Sequence, residues 1–329
     1  MKNVTEEGKR IMGGQLKKLF GPVDMTEGKP WEKIVAFTVP LIIGNIAQQL
    51  YNTVDSIIVG RYVGDNALAA VGSAGPILNL LLVLFIGISV GSSVMVSQYF
   101  GAKEREELSA TIGSCITLTA IASVIIMALA PFVIMPMLEL LHTPDTIIDW
   151  CNSYLRILFI GIAGVAYYNI LSGILRGLGD SVSALLYLLV ATVRNIILDL
   201  WFVAGLGLGV PGVALATAIA QAVSAILCMW KLTRMKDVFD FKLHYLKMKK
   251  NHAVNIIRLG LPSGLTQAIF SMAMVIVQSL TNSFGEMFIA ANVIVMRVDG
   301  FAMMPNFSFG TTMTTYAGQN VGANSYDRV

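Results

Sequence analysis

Two carboxylates lie in stretches that otherwise exclude charge. Asp55 falls in the apolar run 31–60, WEKIVAFTVPLIIGNIAQQLYNTVDSIIVG, and Asp199 in the apolar run 181–204. Each run is long enough to cross a bilayer, where an acid near the midplane costs roughly 3 kcal/mol on insertion scales. Burial disfavours the charged form of a carboxylate, and two acids sharing a cavity disfavour it in each other. Proton exchange at such a pair is the chemistry a proton-driven carrier needs. Asn195 stands four residues before Asp199, and Asn169 and Ser172 lie on the preceding run. Their amides and hydroxyl can hydrogen-bond the acids or help to coordinate Na⁺. The alternative for Asp199 is structural pairing with Arg194 or Arg156. Arg194 is one residue before Asn195, so it points elsewhere on the helix and reads as structural or snorkelling.

The elements that must position these groups follow from spacing. Asn45, Gln48, Asn52 and Asp55 recur at intervals of three and four, on one side of a helix, with Gln49 beside them. Pro40 lies upstream in the same run and kinks it, which makes it the expected hinge. A stripe of this kind turns away from lipid, so Asn45, Gln48 and Asn52 are candidate substrate contacts. Two further candidates lie late in the chain. Gln267 is on the seventh apolar run. Asp299 is on the eighth, next to Gly300 and near Met296, Met303 and Met304. An acid beside flexible thioethers suits a loosely held cationic, aromatic ligand.

Of 329 residues, 55% are hydrophobic and 13% charged, against about a quarter charged in soluble domains. The charge is cleared from whole blocks, which defines an all-α, polytopic membrane protein. Cys115, Cys151 and Cys228 lie in apolar stretches without CxxC spacing, and His142, His244 and His252 form no ligand cluster. No structural metal, cofactor or nucleic-acid site is expected. No secretory signal peptide is visible.

The spacing predicts a cytoplasmic tail over 1–30, six spans within 31–235, a basic linker over 236–252, and two more spans within 253–329. The spans are expected near 31–60, 67–99, 109–138, 146–174, 181–204 and 213–230, then 253–281 and 287–315. Gly87 and Gly91 in the second allow close helix contact. With the tail inside, the basic turns GAKEREEL and RGLGD, the linker and the C-terminal end all fall inside. Arg61 is the one basic residue in the outside loops, a positive-inside pattern with a cytoplasmic N-terminus.

A shift of 221 positions superposes Gly64 on Gly285, Ala69 and Ala70 on Ala290 and Ala291, and Gln98, Gly101 and Ala102 on Gln319, Gly322 and Ala323. Pro40 meets Pro262 with one residue of slippage. Because six spans precede the linker, the copies have the same orientation, as in parallel transporter repeats. The counterpart of 109–235 has no second copy, and the chain is expected to be a fragment of a protein with two six-helix lobes.

The run PLIIGNIAQQLYNTVDSIIVGRYVGDNALAAVGSAGPI resembles the first two helices of MATE family multidrug exporters. SVMVSQYFGAK, YLRI, ILRGLGD and GQNVGAN fit the same family, and the resemblance covers about 31–329. It is closer to the DinF-like than to the NorM-like branch. The resemblance implies two parallel six-helix lobes, of which the first and two helices of the second are present. It implies export of organic cations or amphipathic drugs across the plasma membrane by alternating access, driven by H⁺ or Na⁺, with a monomer as the working unit. On the family pattern Asp55 matches the essential first-helix aspartate. Asn195 and Asp199 match the Asn and Asp of the ion-responsive cluster, with Asn169 and Ser172 on its fourth helix. Asp55 and Asp199 are then a possible Na⁺ site. NorM-like members place an acid on the seventh helix, where this chain has Gln267, Ser271 and Gln278.

The main rival is a flippase for a lipid-linked oligosaccharide or peptidoglycan precursor, which would need a strongly cationic cavity. A receptor or assembly factor without transport fits the repeat and the buried acids less well. No nucleophile, His cluster or metal spacing points to an enzyme.

Overall fold

The computed structural model describes residues 21–141, 143–282 and 286–329, with the side chains between 274 and 297 described only in part. Residues 1–20 of the tail expected over 1–30, His142, Gly285 and the side chains of Gln278, Ala290, Ala291 and Met296 lie outside the described residues. Among the described residues the chain is helical and has no strand. Its long helices are α1 (Pro30–Tyr62), α2 (Asp65–Gly101), α3 (Arg105–Leu140), α4 (Asp145–Ile160), α5 (Ile162–Gly177), α6 (Ser181–Asp199), α7 (Gly209–Arg234), α8 (Lys250–Asn282) and α9 (Glu286–Gly322). Among the described residues five helices are long and apolar enough to cross a membrane, six if the bent pair α4–α5 is taken as one span. The chain is a helical membrane bundle.

The run expected as one span over 146–174 is broken. α4 and α5 meet at Gly161 with a bend of 54°. Gly161 lies so close to Ala218 on α7 that a Cβ there would clash with that side chain. The break therefore lets the span lean onto α7. A second irregularity follows α6. The chain continues into a wide π-type turn, Leu200–Gly205, so Asp199 is the last residue of regular helix. Such turns are rare and concentrate at functional sites.

α2 is the centre of the bundle, with α3, α4, α5, α8 and α9 all packed against it. Its small residues make this possible. A Cβ at Gly91 would meet the carbonyl oxygen of Ile256, and Gly87 faces Gly260 on α8. This is the close contact that the Gly87–Gly91 spacing predicts. At the basic end of the bundle α2 crosses α9. There a Cβ on Gly101 would strike the carbonyl of Gln319, and a Cβ on Gly322 would strike the carbonyl of Gln98. Gln98 and Gly101 are the repeat partners of Gln319 and Gly322. The two copies of the motif thus touch each other reciprocally.

Residues 22–28, the end of the expected tail, form a strap over this crossing. Met25 is fully buried against Phe37 and Tyr316. Its N–H donates to Gln319 Oε1 at 2.8 Å, and its carbonyl accepts from Asn320 Nδ2 at 3.3 Å. Arg328 donates to the carbonyl of Gly28 at 2.9 Å. Full burial of a methionine contributes roughly 1.5–3 kcal/mol. The linker is also pinned, by Arg105 of α3, which bonds Asp240 at 2.8 Å and the carbonyl of Asp237 at 3.0 Å.

Candidate functional site

α1 is placed by small residues. Gly44 faces Leu185 and Leu188 of α6, and Ala47, Ile58 and Val59 are buried. The polar stripe of α1 then divides. Asn45 and Asn52 are exposed, whereas Gln48 and Asp55 lie partly buried. Gln48 lines a cavity shared with α6 and α7.

Asp55 and Asp199 stand close by, carboxyl facing carboxyl and near enough to interact directly. Asp199 and Asn195 are almost wholly enclosed, at 0% and 1% exposure. The Asn195 amide, in the orientation that satisfies both its ends, donates to Asp199 Oδ2 at 2.7 Å and accepts from the Thr217 N–H of α7 at 3.2 Å. The Tyr51 hydroxyl lies 3.3 Å from Thr217 Oγ1. Tyr154 of α4 is buried near enough to both acids to feel their charge. Three helices and the bent fourth span therefore converge on one pair of carboxylates.

The charge state of the pair is constrained by simple electrostatics. Two bare carboxylates in contact and out of water repel strongly, so a proton or a cation must lie between them. Asp55 Oδ1 and Asp199 Oδ1 are both buried without a hydrogen-bond partner among the described residues. No ion pair to either acid occurs among the described residues, and Arg156 and Arg194 are both exposed. The pairing of Asp199 with an arginine, left open by the sequence, is not made. Fixed acceptors without a donor suit a small cation or a proton. No group of three or more His, Cys, Asp or Glu with metal-holding geometry occurs among the described residues.

The remaining sequence candidates are placed elsewhere. Asn169 donates to the carbonyl of Val165 at 2.8 Å, and its own carbonyl accepts from Ser89 at 2.9 Å. Ser172 accepts from Arg176 at 2.7 Å. Asn45 donates to Ser308 Oγ at 2.9 Å and so ties α1 to α9. Gln267 is exposed along a groove with Asn79, Val83 and Met137. Asp299 is exposed on α9, and Pro40 lies within α1. Thr217, Tyr51 and Tyr154 join the site although no spacing singled them out. A lone Thr or Tyr in an apolar helix carries no signal until its neighbours on other helices are known.

Comparison with known proteins agrees with this architecture. The family model MatE matches residues 40–201 and 262–329. The "Probable multidrug resistance protein YoeA" of Bacillus subtilis is 34% identical over 316 residues, 93% of this chain and 68% of its own length. The DNA damage-inducible protein F of Escherichia coli is 22% identical, covering 86% of this chain and 62% of that protein. A solved MOP superfamily transporter from Pyrococcus furiosus, reported with a binding pocket of reverse polarity, superposes with a TM-score of 0.86 at 28% identity. That match covers 93% of this chain and 68% of that one. The matched stretch holds both carboxylates, the helix that carries Pro40 and the second copy of the repeat, and the chain belongs to the MatE family of membrane transporters.

Proposed function

We propose that the protein is a cation-coupled antiporter that exports organic cations or amphipathic drugs across the cell membrane, with its N-terminus in the cytoplasm. The observation that carries this reading is the Asp55–Asp199 pair, unpaired with any arginine among the described residues and left with buried, unpartnered oxygens. Relatives named for multidrug resistance and multidrug export support the substrate class. Occupation of the pair by H⁺ or Na⁺ removes the repulsion between the acids and draws α1 toward α6. Release restores the repulsion and loosens α1, which is kinkable at Pro40. The ion moves the equilibrium only by its difference in affinity for the two arrangements. Asn195 and Thr217 hold the acids in register. Asn45, Asn52 and Asp299 offer exposed polar groups for a cationic substrate.

The test is ethidium efflux from cells carrying the protein, with Na⁺ and pH gradients varied separately. Asp55→Asn is expected to reduce ion-driven efflux to background while the protein still reaches the membrane. Unchanged efflux and unchanged ion dependence in that variant would overturn the reading. Absence of wild-type efflux under every gradient would favour flipping of a lipid-linked precursor.

A further inference from the structure

Between α5 and α7 lies an apolar groove of about 280 Å³. Small residues open it, Ala163 and Gly164 on α5 and Ala222 and Ala225 on α7, and Leu171 and Met229 line its end nearer the linker. Gly164 sits so close to the Ala222 backbone that a Cβ there would clash, which brings the two helices together as the walls of one groove. Ile226, which also lines it, is 66% exposed, as a lipid-facing side chain is.

Where α7 ends, a second cavity of about 700 Å³ opens. Its charged lining is Arg234, the last residue of α7, with Lys236, Asp240 and Lys242 of the linker. Asp240 is bonded to Arg105 of α3 at 2.8 Å, so an arginine from outside the lining offsets the one acid within it. Arg234, Lys236 and Lys242 form no ion pair among the described residues. Arg105 also bonds the carbonyls of Lys236 and Asp237, and Phe239 is buried beside them. The cations therefore stand on a fixed backbone. Arg234 stacks on Trp230, 4.0 Å from the ring centroid. Trp230 is half exposed, as aromatic side chains at a membrane–water boundary are.

The two cavities lie in line. Ala222, Ile226 and Met229 line the groove and Thr233 lines the cationic cavity. Intervals of four, three and four keep these residues on one face of α7. The twelve residues from Ala222 to Arg234 rise about 18 Å. That is close to one leaflet of a hydrocarbon core about 30 Å thick. An apolar groove one leaflet long, ending in a cationic cavity, has the shape and charge of an anionic amphiphile.

We propose that α5, α7 and the linker bind one anionic glycerophospholipid of the phosphatidylglycerol class. An acyl chain follows the α5–α7 groove, and the phosphate sits among Arg234, Lys236 and Lys242. The guanidinium of Arg234 offers paired N–H donors to phosphate oxygens, and the two lysines add point charges. On the orientation proposed above the lipid belongs to the inner leaflet, and its binding requires neither the coupling ion nor the exported substrate. The bound lipid joins α7 to the linker, which Arg105 already fastens to α3.

The experiment uses Trp230 as reporter, with the full chain in phosphatidylcholine vesicles. These hold a small fraction of acyl-brominated phosphatidylglycerol or, in parallel, acyl-brominated phosphatidylcholine. The Trp230 signal is the difference between each protein and its Trp230→Phe counterpart. Brominated phosphatidylglycerol should quench it more strongly at equal mole fraction. Arg234→Gln and Lys242→Gln should each lower that preference about fivefold, the attraction usual for one basic side chain at an anionic surface. Lys247→Gln with Lys250→Gln, which removes two nearby charges outside the cavity, should preserve it. Equal quenching by the two lipids, or an unchanged preference in both single variants, would overturn the proposal. An equal loss in the double variant would overturn it in favour of diffuse attraction to the basic linker. Displacement of brominated phosphatidylglycerol by inorganic phosphate would overturn it in favour of a soluble anion. All of these outcomes leave the antiporter reading standing.

Discussion

The crossing of α2 with α9 and the carboxylate cluster between α1, α6 and α7 are both buried and both polar, yet they are finished differently. At the crossing the side-chain amides of Gln319 and Asn320 are bonded at both ends. Gln319 accepts from the Met25 N–H and donates to the Gly177 carbonyl at 3.2 Å. Asn320 donates to the Tyr316 carbonyl at 2.9 Å and accepts from Arg328 at 3.0 Å. The loose ends there are the hydroxyls of Thr315 and Tyr316, whose protons can rotate. In the cluster the loose ends are oxygens of Asp55, Asp199 and Gln221, acceptors that no local donor reaches. A satisfied polar network fastens, because removing any member strands its partners. An unsatisfied one waits for something from outside the chain.

This contrast can be broken in several ways. The largest expected effect is at the reciprocal glycine contact. Gly101→Ala places a Cβ against a backbone carbonyl that cannot step aside. It should cost more than the roughly 1–3 kcal/mol typical of overpacking. Gly310→Ala on α9, which meets nothing within 4 Å, should be neutral or slightly stabilising. Thermal unfolding in detergent separates the two, and equal effects would dissolve the special status of the crossing. Next in size is Gln319→Leu, which strands the Met25 N–H and the Gly177 carbonyl and should cost about 1–3 kcal/mol. Asp199→Asn, by contrast, relieves repulsion and should leave thermal stability equal or higher while ion dependence disappears. A comparable loss of stability in both would mean that the cluster is also a fastener.

The smallest effect concerns His252, at the start of α8. Its ring stacks on Tyr99 with centroids 6.0 Å apart, and its Nε2 lies 2.8 Å from Glu107 Oε2. Burial, with help from Lys249, holds its imidazole below the usual histidine range and outweighs the opposing pull of Glu107. The folded protein therefore keeps His252 neutral at pH values where the unfolded chain protonates it. Its contribution to stability is complete above about pH 6.5 and is lost as the pH falls through the folded value. His252→Gln should flatten the acid side of the stability profile, as melting curves above and below about pH 6.5 would show.

Much of this was legible in the chain itself, for identifiable reasons. Acids are rare in apolar runs, so Asp55 and Asp199 stood out, and Asn195 followed from its spacing of four. The repeat was legible from Gln98 and Gly101 against Gln319 and Gly322. That the two copies press on each other was not, because sequence similarity says nothing of contact. The stripe Asn45, Gln48, Asn52, Asp55 read as one surface, although it straddles two environments. Residues within a quarter-turn of each other can face different neighbours. The break at Gly161 and the π-type turn after Asp199 lay inside continuous apolar runs, where hydropathy has no means of marking a bend. Thr217 and Tyr154 were invisible because their meaning comes wholly from other helices.

The mutual contact of Gly101 with Gln319 and of Gly322 with Gln98 fixes two long rods at one end. α2 has 37 residues and so runs about 55 Å from that point at the usual helical rise. Arms of this length amplify angle into distance. A tilt of about 5° at the fixed end carries the far end through about 5 Å at that rise. A glycine pair that admits no side chain thereby acts as the fulcrum of a pair of shears, and small changes in crossing angle become large displacements at the far ends.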